Sequence, residues 1–248
     1  MRRPLHADVV TPGHQVDAAV KIACLVGFLF AVVVTPPAQV LAFAVYAALV
    51  AGAVVVVRLP APVLARRLLI ELPFVVFAVA LPFIGTGPHR EVLGISMSIP
   101  GLWAAWAILA KATLGTAATV VLAWCTPVPA ILDGLDRLRM PRILTAIAGF
   151  MVRYLDIVSD ELRRLQIARV SRGDDPRWFW QGRAVAATAG NLFVRSFERG
   201  DRVHQAMLAR GFTGRFPDLA AERQPLRWLP TIAWPCAAWA VAVTAMLR

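Results

Sequence analysis

Long apolar stretches with almost no charge constrain this chain more than any other feature. A helix needs about 20 residues to cross a bilayer core of about 30 Å. Five stretches approach that length, and they cover residues 22–35, 38–57, 68–84, 102–125 and 226–247. The first is short, and it gains length if it starts near Val16 with Lys21 reaching toward the headgroups. The pattern predicts an all-α integral membrane protein with about five transmembrane helices.

The composition excludes several other classes of protein. The chain has 248 residues, of which 58% are hydrophobic and 17% charged, whereas soluble domains are about 45–50% apolar and about 25% charged. A chain so rich in aliphatic residues is not a disordered one. The three cysteines, Cys24, Cys125 and Cys236, are isolated within apolar stretches and form no CxxC motif, which excludes a disulfide framework and a zinc ribbon.

The arginines and lysines predict the orientation of the membrane segments. Short loops that are rich in these residues stay in the cytoplasm. The N-terminal tail carries Arg2 and Arg3, and the loop after the second segment carries Arg58, Arg66 and Arg67. The connection over 35–39 has no charge, and the one over 85–100 has only Arg90. We therefore expect the N-terminus and residues 126–226 on the cytoplasmic side.

The predicted cytoplasmic region has its own helical pattern. Residues 126–227 contain 17 arginines and 11 acidic residues, so the region is basic, and apolar residues still recur at spacings of three and four. One such stripe predicts a helix of about 30 residues that begins at Pro141 and ends before Gly173. A second long helix is predicted over 182–210, and a short amphipathic one over 130–139 is a candidate interfacial helix.

These patterns predict three regions. Residues 1–125 form an N-terminal membrane bundle of four helices, and residues 226–248 form a C-terminal transmembrane helix. Between them, residues 126–225 form a cytoplasmic coupling domain.

The two long cytoplasmic helices have similar endings, Ser171-Arg172-Gly173 and Ala209-Arg210-Gly211, and Arg169 lies in the last turn of the first. An arginine at a helix end interacts favourably with the helix dipole and with free carbonyls, which is a sufficient reason for either ending alone. Two such endings favour a docking role as well. A guanidinium fits an acidic groove on a partner, and glycine lets the chain turn away without a Cβ.

The chain resembles the transmembrane T component of energy-coupling factor (ECF) transporters, most closely the cobalt-type subunit CbiQ. The resemblance extends from about His14 to Gly214 and depends on several motifs in order. They are His14-Gln15-Val16-Asp17-x-x-x-Lys21, Ile95–Trp106, Thr126-Pro127, Leu138-Arg139-Met140-Pro141, Phe150-Met151-Val152-Arg153-Tyr154, Glu161-Leu162-Arg163-Arg164 and the two arginine-glycine endings. The first ending has Ser171 where alanine is more usual in the family.

The resemblance implies a non-catalytic subunit of an ATP-driven importer. Two ATPase subunits would bind and hydrolyse ATP, and the arginine motifs would anchor the long helices in grooves on them. Their motion would pass to a separate membrane subunit that binds the substrate, which is cobalt in the cobalt type. This chain would bind no cofactor and no metal. It would lie in a bacterial or archaeal cell membrane with its coupling domain in the cytoplasm.

Lys111 is a further candidate functional residue. Lys111 lies within the fourth segment, where a charge is costly, so it is a candidate intramembrane contact. The alternative is a pair with Glu71, which the sequence places near the cytoplasmic end of the third segment.

The four histidines have no ligand-like spacing, and the positive-inside bias explains the basic patch without nucleic acid. The stretch Arg177-Trp178-Phe179-Trp180 is either packed core or a membrane-surface anchor.

Three other functions compete with this one. A vitamin importer of the biotin type would use a related T component, and the sequence does not select the substrate. An intramembrane enzyme would need a cluster of catalytic or metal-binding residues such as H-E-x-x-H, which is absent, and so is the phosphate loop G-x-x-x-x-G-K-[ST]. A stand-alone secondary transporter would favour two repeated halves, into which this chain does not divide.

Overall fold

A computed structural model describes residues 16–84, 89–92, 95–173, 182–213 and 229–246. Over these residues the chain is helical apart from one short hairpin, so the predicted helical class is confirmed. The chain divides into two compact units at residues 139 and 224. The first unit contains the described residues before 140 and after 223, and the second contains those between.

Seven helices are described in the first unit. They are α1 (Ala18–Val34), α2 (Val40–Val56), α3 (Ala61–Leu68), α4 (Leu72–Ile84), α5 (Ile99–Cys125), α6 (Val128–Arg137) and α9 (Leu229–Met246). A 3-10 turn, Leu69–Glu71, joins α3 to α4. Between α4 and α5, the strands β1 (His89–Val92) and β2 (Ile95–Ser98) pair antiparallel, with His89 opposite Ser98. No pattern in the sequence predicts this hairpin.

The third predicted segment begins too late. Its apolar run starts at residue 68, but the helical rod that contains it extends from Ala61 to Ile84 and is 24 residues long. Arg66 and Arg67 therefore lie in a helix and not in a loop. The reason is that α3 is amphipathic and carries Arg66 and Arg67, of which Arg66 is exposed and Arg67 partly buried, so its apolar content alone does not reveal it.

Two described helices are long and apolar enough to cross a membrane by length and composition. The rod over 61–84 has a mean hydropathy of 2.1 in its most apolar window, and α5, with 27 residues, has 1.6. Only 17% and 33% of these windows are buried, whereas the core helix of a soluble protein is mostly buried. The apolar side chains that face outward need apolar surroundings, as in a membrane protein.

Close backbone contact brings the far end of the rod onto the start of α5. A Cβ on Gly101 would lie 2.6 Å from the carbonyl oxygen of Leu81 and 3.0 Å from Cα of Pro82. At the other end of the same helix pair, Val63 and Leu64 pack beside Val121 and Cys125. The rod and α5 are therefore antiparallel along their whole length.

A buried tyrosine joins three helices in the core. Tyr46 of α2 is fully buried, and its ring meets that of Phe28 on α1 edge to face. Its hydroxyl lies 2.9 Å from the hydroxyl of Thr35 and donates to the carbonyl of Ala238 on α9 at 3.4 Å. Because a buried polar group must be hydrogen-bonded, this network specifies how α1, α2 and α9 pack together.

The second unit consists of α7 (Arg142–Ser171) and α8 (Gly182–Ala209). Both agree with the predicted helices within one or two residues, and Pro141 is the N-cap of α7 as expected. An ion pair joins them, with Arg195 Nη1 at 2.6 Å from Glu161 Oε1. The rings of Phe150 and Tyr154, one turn apart on α7, are stacked.

We expect Gly101→Ala to lower the thermal stability of the purified protein in detergent. The added methyl group would meet the backbone of the rod at a distance that no Cβ tolerates, so the rod and α5 would have to separate. Gly52→Ala is the control, because nothing lies within 4 Å of its added Cβ. It should keep or raise the melting temperature, since alanine favours a helix by about 1 kcal/mol. Equal stability of the two variants would contradict the close contact.

Candidate functional site

The end of α8 forms a Schellman motif around Gly211. The N–H of Gly211 donates to the carbonyl of Leu208 at 2.9 Å, and the N–H of Phe212 donates to that of Met207 at 3.0 Å. Gly211 has φ +80°, which is in the left-handed region that glycine adopts without a steric penalty. The glycine predicted to end this helix is therefore confirmed in that position.

The end of α7 closes in the same way over its described part. Gly173 has φ +79°, and its N–H donates to the carbonyl of Val170 at 3.0 Å. Arg172 is the C-cap residue, and its N–H donates to the carbonyl of Arg169 at 3.0 Å. Over the residues that the structure describes at both ends, the two endings therefore have the same backbone geometry.

The two endings present their arginines to the surroundings of the unit. Arg172 and Arg210 are exposed, as are Gly173 and Gly211, while Arg169 is partly buried. In both cases the glycine has no other atom within 4 Å of the position that a Cβ would take. The pairing of an exposed guanidinium with an open glycine leaves room for a partner to approach the backbone.

The small residues before each arginine are exposed too. Ser171 donates its hydroxyl to the carbonyl of Ile167 at 2.9 Å, within its own helix, so it fills the same space as an alanine with its polar atom satisfied. Ala209 is the last residue of α8 and is also exposed. The difference between serine and alanine at this position therefore leaves the surface shape almost unchanged.

Lys111 lies at the level of the end of α1 and binds a backbone carbonyl there. Its Nζ donates to the carbonyl of Val33 at 2.7 Å. Val33 is in the last turn of α1, where carbonyls have no partner within the helix, so the ammonium both caps the helix and complements its dipole. Its role as an intramembrane contact to another protein stays a prediction.

The suggested pair between Lys111 and Glu71 is not formed. Glu71 is buried and accepts a hydrogen bond from the hydroxyl of Thr113 at 3.0 Å. The two residues do lie at similar depth, contrary to the sequence analysis, because the rod begins at Ala61 and so places Glu71 beside the middle of α5. Positions 111 and 113 face different sides of that helix, however, which keeps the two charged groups apart.

Lys21 does not reach toward headgroups but binds the end of α5. Its Nζ donates to the carbonyl of Cys125 and to the hydroxyl of Thr126, both at 3.3 Å. The two lysines of the chain thus act reciprocally, since each closes the C-terminal end of the helix on which the other lies. Lys21 and Thr126 both lie in motifs that the sequence analysis names, but those motifs do not indicate that the two residues are in contact.

Some sequence predictions lie outside the described residues. They concern the side chains of His6, His14 and His89, the start of the last segment at residue 226, and the stretch Arg177-Trp178-Phe179-Trp180. Among the described residues, no group of three or more histidine, cysteine, aspartate or glutamate side chains could hold a metal ion. The arginine-glycine endings lie within the described residues and stay the predicted site.

Comparison with known proteins identifies the family. The model of the family described as CbiQ, cobalt transport protein, matches residues 10–219. The chain belongs to the CbiQ family of cobalt transport proteins. The match extends over both units and includes both arginine-glycine endings.

Individual relatives agree with this family. The cobalt transport protein CbiQ of Rhodobacter capsulatus is 30% identical over 83% of this chain and 83% of its own length. A putative fused cobalt transport protein CbiMQ of Methanocorpusculum labreanum is 21% identical over 83% of this chain and 36% of its own length. An uncharacterized protein of Methanocaldococcus jannaschii is 21% identical over 84% of this chain and 74% of its own length.

The Gly211→Ala variant should destabilise the end of α8. A Cβ in the left-handed region costs about 1 kcal/mol or more, so the Schellman hydrogen bonds would open more often. Hydrogen exchange at the amides of residues 211 and 212 should be several-fold faster in the variant than in the wild type. Gly190→Ala within α8 is the control and should leave this exchange unchanged, because its added Cβ meets nothing within 4 Å. Equal exchange in the two variants would contradict the assigned geometry.

The variant Lys111→Met tests whether this lysine acts within the chain. Without its ammonium, the carbonyl of Val33 loses its donor, and we expect a loss of about 1 kcal/mol or more in stability. Cobalt uptake should then fall only in proportion to the amount of folded protein. Thr119→Val is the control, since that hydroxyl donates to a carbonyl of its own helix. Wild-type stability with lost uptake would instead indicate a contact with a partner.

Proposed function

We propose that this chain is the transmembrane coupling (T) subunit of an ECF-type importer for cobalt. It transmits the motion of two ATPase subunits to a membrane subunit that binds the substrate. Membership of the CbiQ family supports the cobalt part of the proposal. The observation that carries the coupling part is the pair of arginine-glycine helix ends with the same backbone geometry.

The geometry of these ends suits a contact with an acidic groove. An exposed arginine at a helix end offers a planar fork of donors that binds a carboxylate in a bidentate way and keeps its charge at every physiological pH. Gly173 and Gly211 turn the chain away from the contact immediately afterwards. Two such ends suit two copies of a similar partner, one for each ATPase.

A ridge of exposed apolar side chains on α7 supports a further partner. Ile143, Ile147, Met151 and Leu155 follow one another at intervals of four residues and so lie on one face. Their exposed fractions are 68%, 50%, 68% and 56%. Apolar residues in a continuous row on a helix surface are typical of a surface that another protein or a membrane covers. The substrate-binding subunit is the occupant that the proposal assigns to it.

The fused CbiMQ relative agrees with such a neighbour. Its name describes two cobalt transport parts in one chain, and this chain matches 36% of it. A fusion keeps the two parts in one polypeptide, which supports a functional association between them. For this chain we propose that the corresponding neighbour is a separate polypeptide.

The proposed topology has five spans, with the N-terminus and the second unit in the cytoplasm. The rod over 61–84 and α5 are long enough to cross, whereas α1 and α2 have 17 residues each and need flanking residues or local thinning of the bilayer. The arginines near α3 and α6 support this orientation. In this arrangement the ATPases bind ATP, and the chain itself is a coupler without catalytic residues.

The double variant Arg172→Ala plus Arg210→Ala tests the proposal. In vesicles that contain the complete transporter, cobalt uptake should fall at least about tenfold, because each lost charge-assisted contact costs about 1.5–3 kcal/mol. The chain itself should keep its thermal stability, since neither side chain is buried. The quantities to measure are uptake, the ATPase retained after purification, and the melting temperature.

The control is Arg163→Ala plus Arg202→Ala, which removes two exposed arginines from the same helices away from their ends. It should leave uptake and ATPase binding near the wild-type level. Full uptake by the variant at Arg172 and Arg210 would remove these arginines from the coupling site.

A further inference from the structure

An ion pair links α1 to α6 over 120 residues of sequence. Asp17 is the N-cap of α1, where it accepts a hydrogen bond from the N–H of Ala19 at 2.9 Å. Its second oxygen pairs with Arg137 at the end of α6. The Asp17 side chain is only 6% exposed, against 37% for Arg137. Burying a carboxylate this deeply costs free energy unless it is paired, so Asp17 needs Arg137 beside it.

A close backbone contact lies next to the ion pair. A Cβ on Gly134 would be 2.8 Å from the nitrogen of Ala19 and 2.9 Å from the carbonyl carbon of Ala18. Gly134 precedes Arg137 by three residues, so both are on the same face of α6. One steric contact and one ionic contact therefore hold this face of α6 on the first turn of α1. We call Asp17, Gly134 and Arg137 the clasp.

The clasp is also tied to α5. Lys21, one turn after Asp17 on α1, binds the carbonyl of Cys125 and the hydroxyl of Thr126 at the end of α5. The start of α1 therefore contacts both helices that flank the bend at Thr126. Movement of α6 against α5 would have to break one of these two sets of contacts.

The chain leaves the clasp through a restricted connection. The N–H of Leu138 donates to the carbonyl of Gly134 at 3.0 Å, and that of Arg139 donates to the carbonyl of Asp136 at 3.1 Å. Arg139 has φ +64°, a conformation that costs a residue with a side chain about 1 kcal/mol. Pro141, whose ring restricts its φ, then begins α7. The residues that follow the clasp therefore have a locally constrained backbone.

We propose that the clasp is a positioning site for coupling. It holds α6 on the first turn of α1, so that force reaching α6 along the chain from α7 enters the membrane bundle and is not lost in a local movement of α6. The proposal rests on the coupling function proposed above. Without the clasp, the ATPases would still bind and hydrolyse ATP, but less cobalt would be carried for each ATP.

The first test uses Arg137→Ala and Asp17→Asn in the complete transporter in vesicles. We expect cobalt uptake per ATP hydrolysed to fall about tenfold, within the usual range for a coupling between sites. ATPase binding should stay at the wild-type level. The controls are Arg142→Ala and Asp136→Asn, which are exposed neighbours, and they should keep the wild-type ratio. Wild-type ratios in the clasp variants would overturn the proposal.

The second test restores the link chemically in one protein sample. Asp17→Cys plus Arg137→Cys is made in a background without Cys24, Cys125 and Cys236, and a short bis-methanethiosulfonate linker then bridges the two thiols. The ratio of cobalt to ATP should be low before bridging and recover severalfold after it, while the cysteine-free parent does not respond to the linker. Bridging that gives no recovery would overturn the proposal.

Failure of the clasp and failure of the coupling function give different results. If the unaltered complex retains no ATPase and takes up no cobalt with ATP, the coupling function itself is wrong. If the unaltered complex transports and every clasp variant transports equally well, only the clasp is wrong.

Discussion

The backbone groups at the ends of apolar helices need partners, and in lipid no water supplies them. This chain meets the requirement at both ends of the pair α1 and α5 with its two lysines. Lys21 donates to the end of α5, and Lys111 donates to the end of α1. A flexible ammonium reaches a single carbonyl across a helix interface more readily than a broad guanidinium does. The two contacts set the register of the pair, and the rod over 61–84 packs on the α5 side of it.

At the described ends of α6, α7 and α8, backbone geometry closes the helix instead. At α7 and α8 a glycine in the left-handed region closes the helix, and Arg172 and Arg210 remain exposed. At α6 the corresponding residue is Arg139, and the neighbouring Arg137 is used within the chain to hold α6 on α1. The same local motif therefore accompanies two arrangements of arginine: an internal ion pair in the first unit and, in the second, exposed side chains that we propose bind partners. The proposed mechanism joins the two arrangements, because force applied at the exposed ends reaches the bundle through the internal pair.

The helices were predictable from the sequence because their signals are local. Apolar runs and periodicity place most described helices within a few residues, and the glycines at 173 and 211 have the predicted role. Contacts between distant parts were not predictable in the same way. The pairs Asp17–Arg137 and Lys111–Val33 depend on the register between helices, which no short motif encodes. The start of the rod was predicted too late because arginines such as Arg66 and Arg67 are typical of a loop. The same error placed Glu71 too close to the cytoplasmic end. The candidate arginines were found because both endings repeat a short pattern.

We propose that this chain works only as the coupler of an ATP-driven complex. The most direct measurement is to tag the chain, purify it from its native membrane in mild detergent, and identify the proteins and the metal that accompany it. We expect one or two ATPases with a phosphate loop, a small substrate-binding membrane subunit, and cobalt bound to that complex. A chain that purifies alone, under conditions in which a known membrane complex stays intact, would contradict the account and favour a transporter that works by itself.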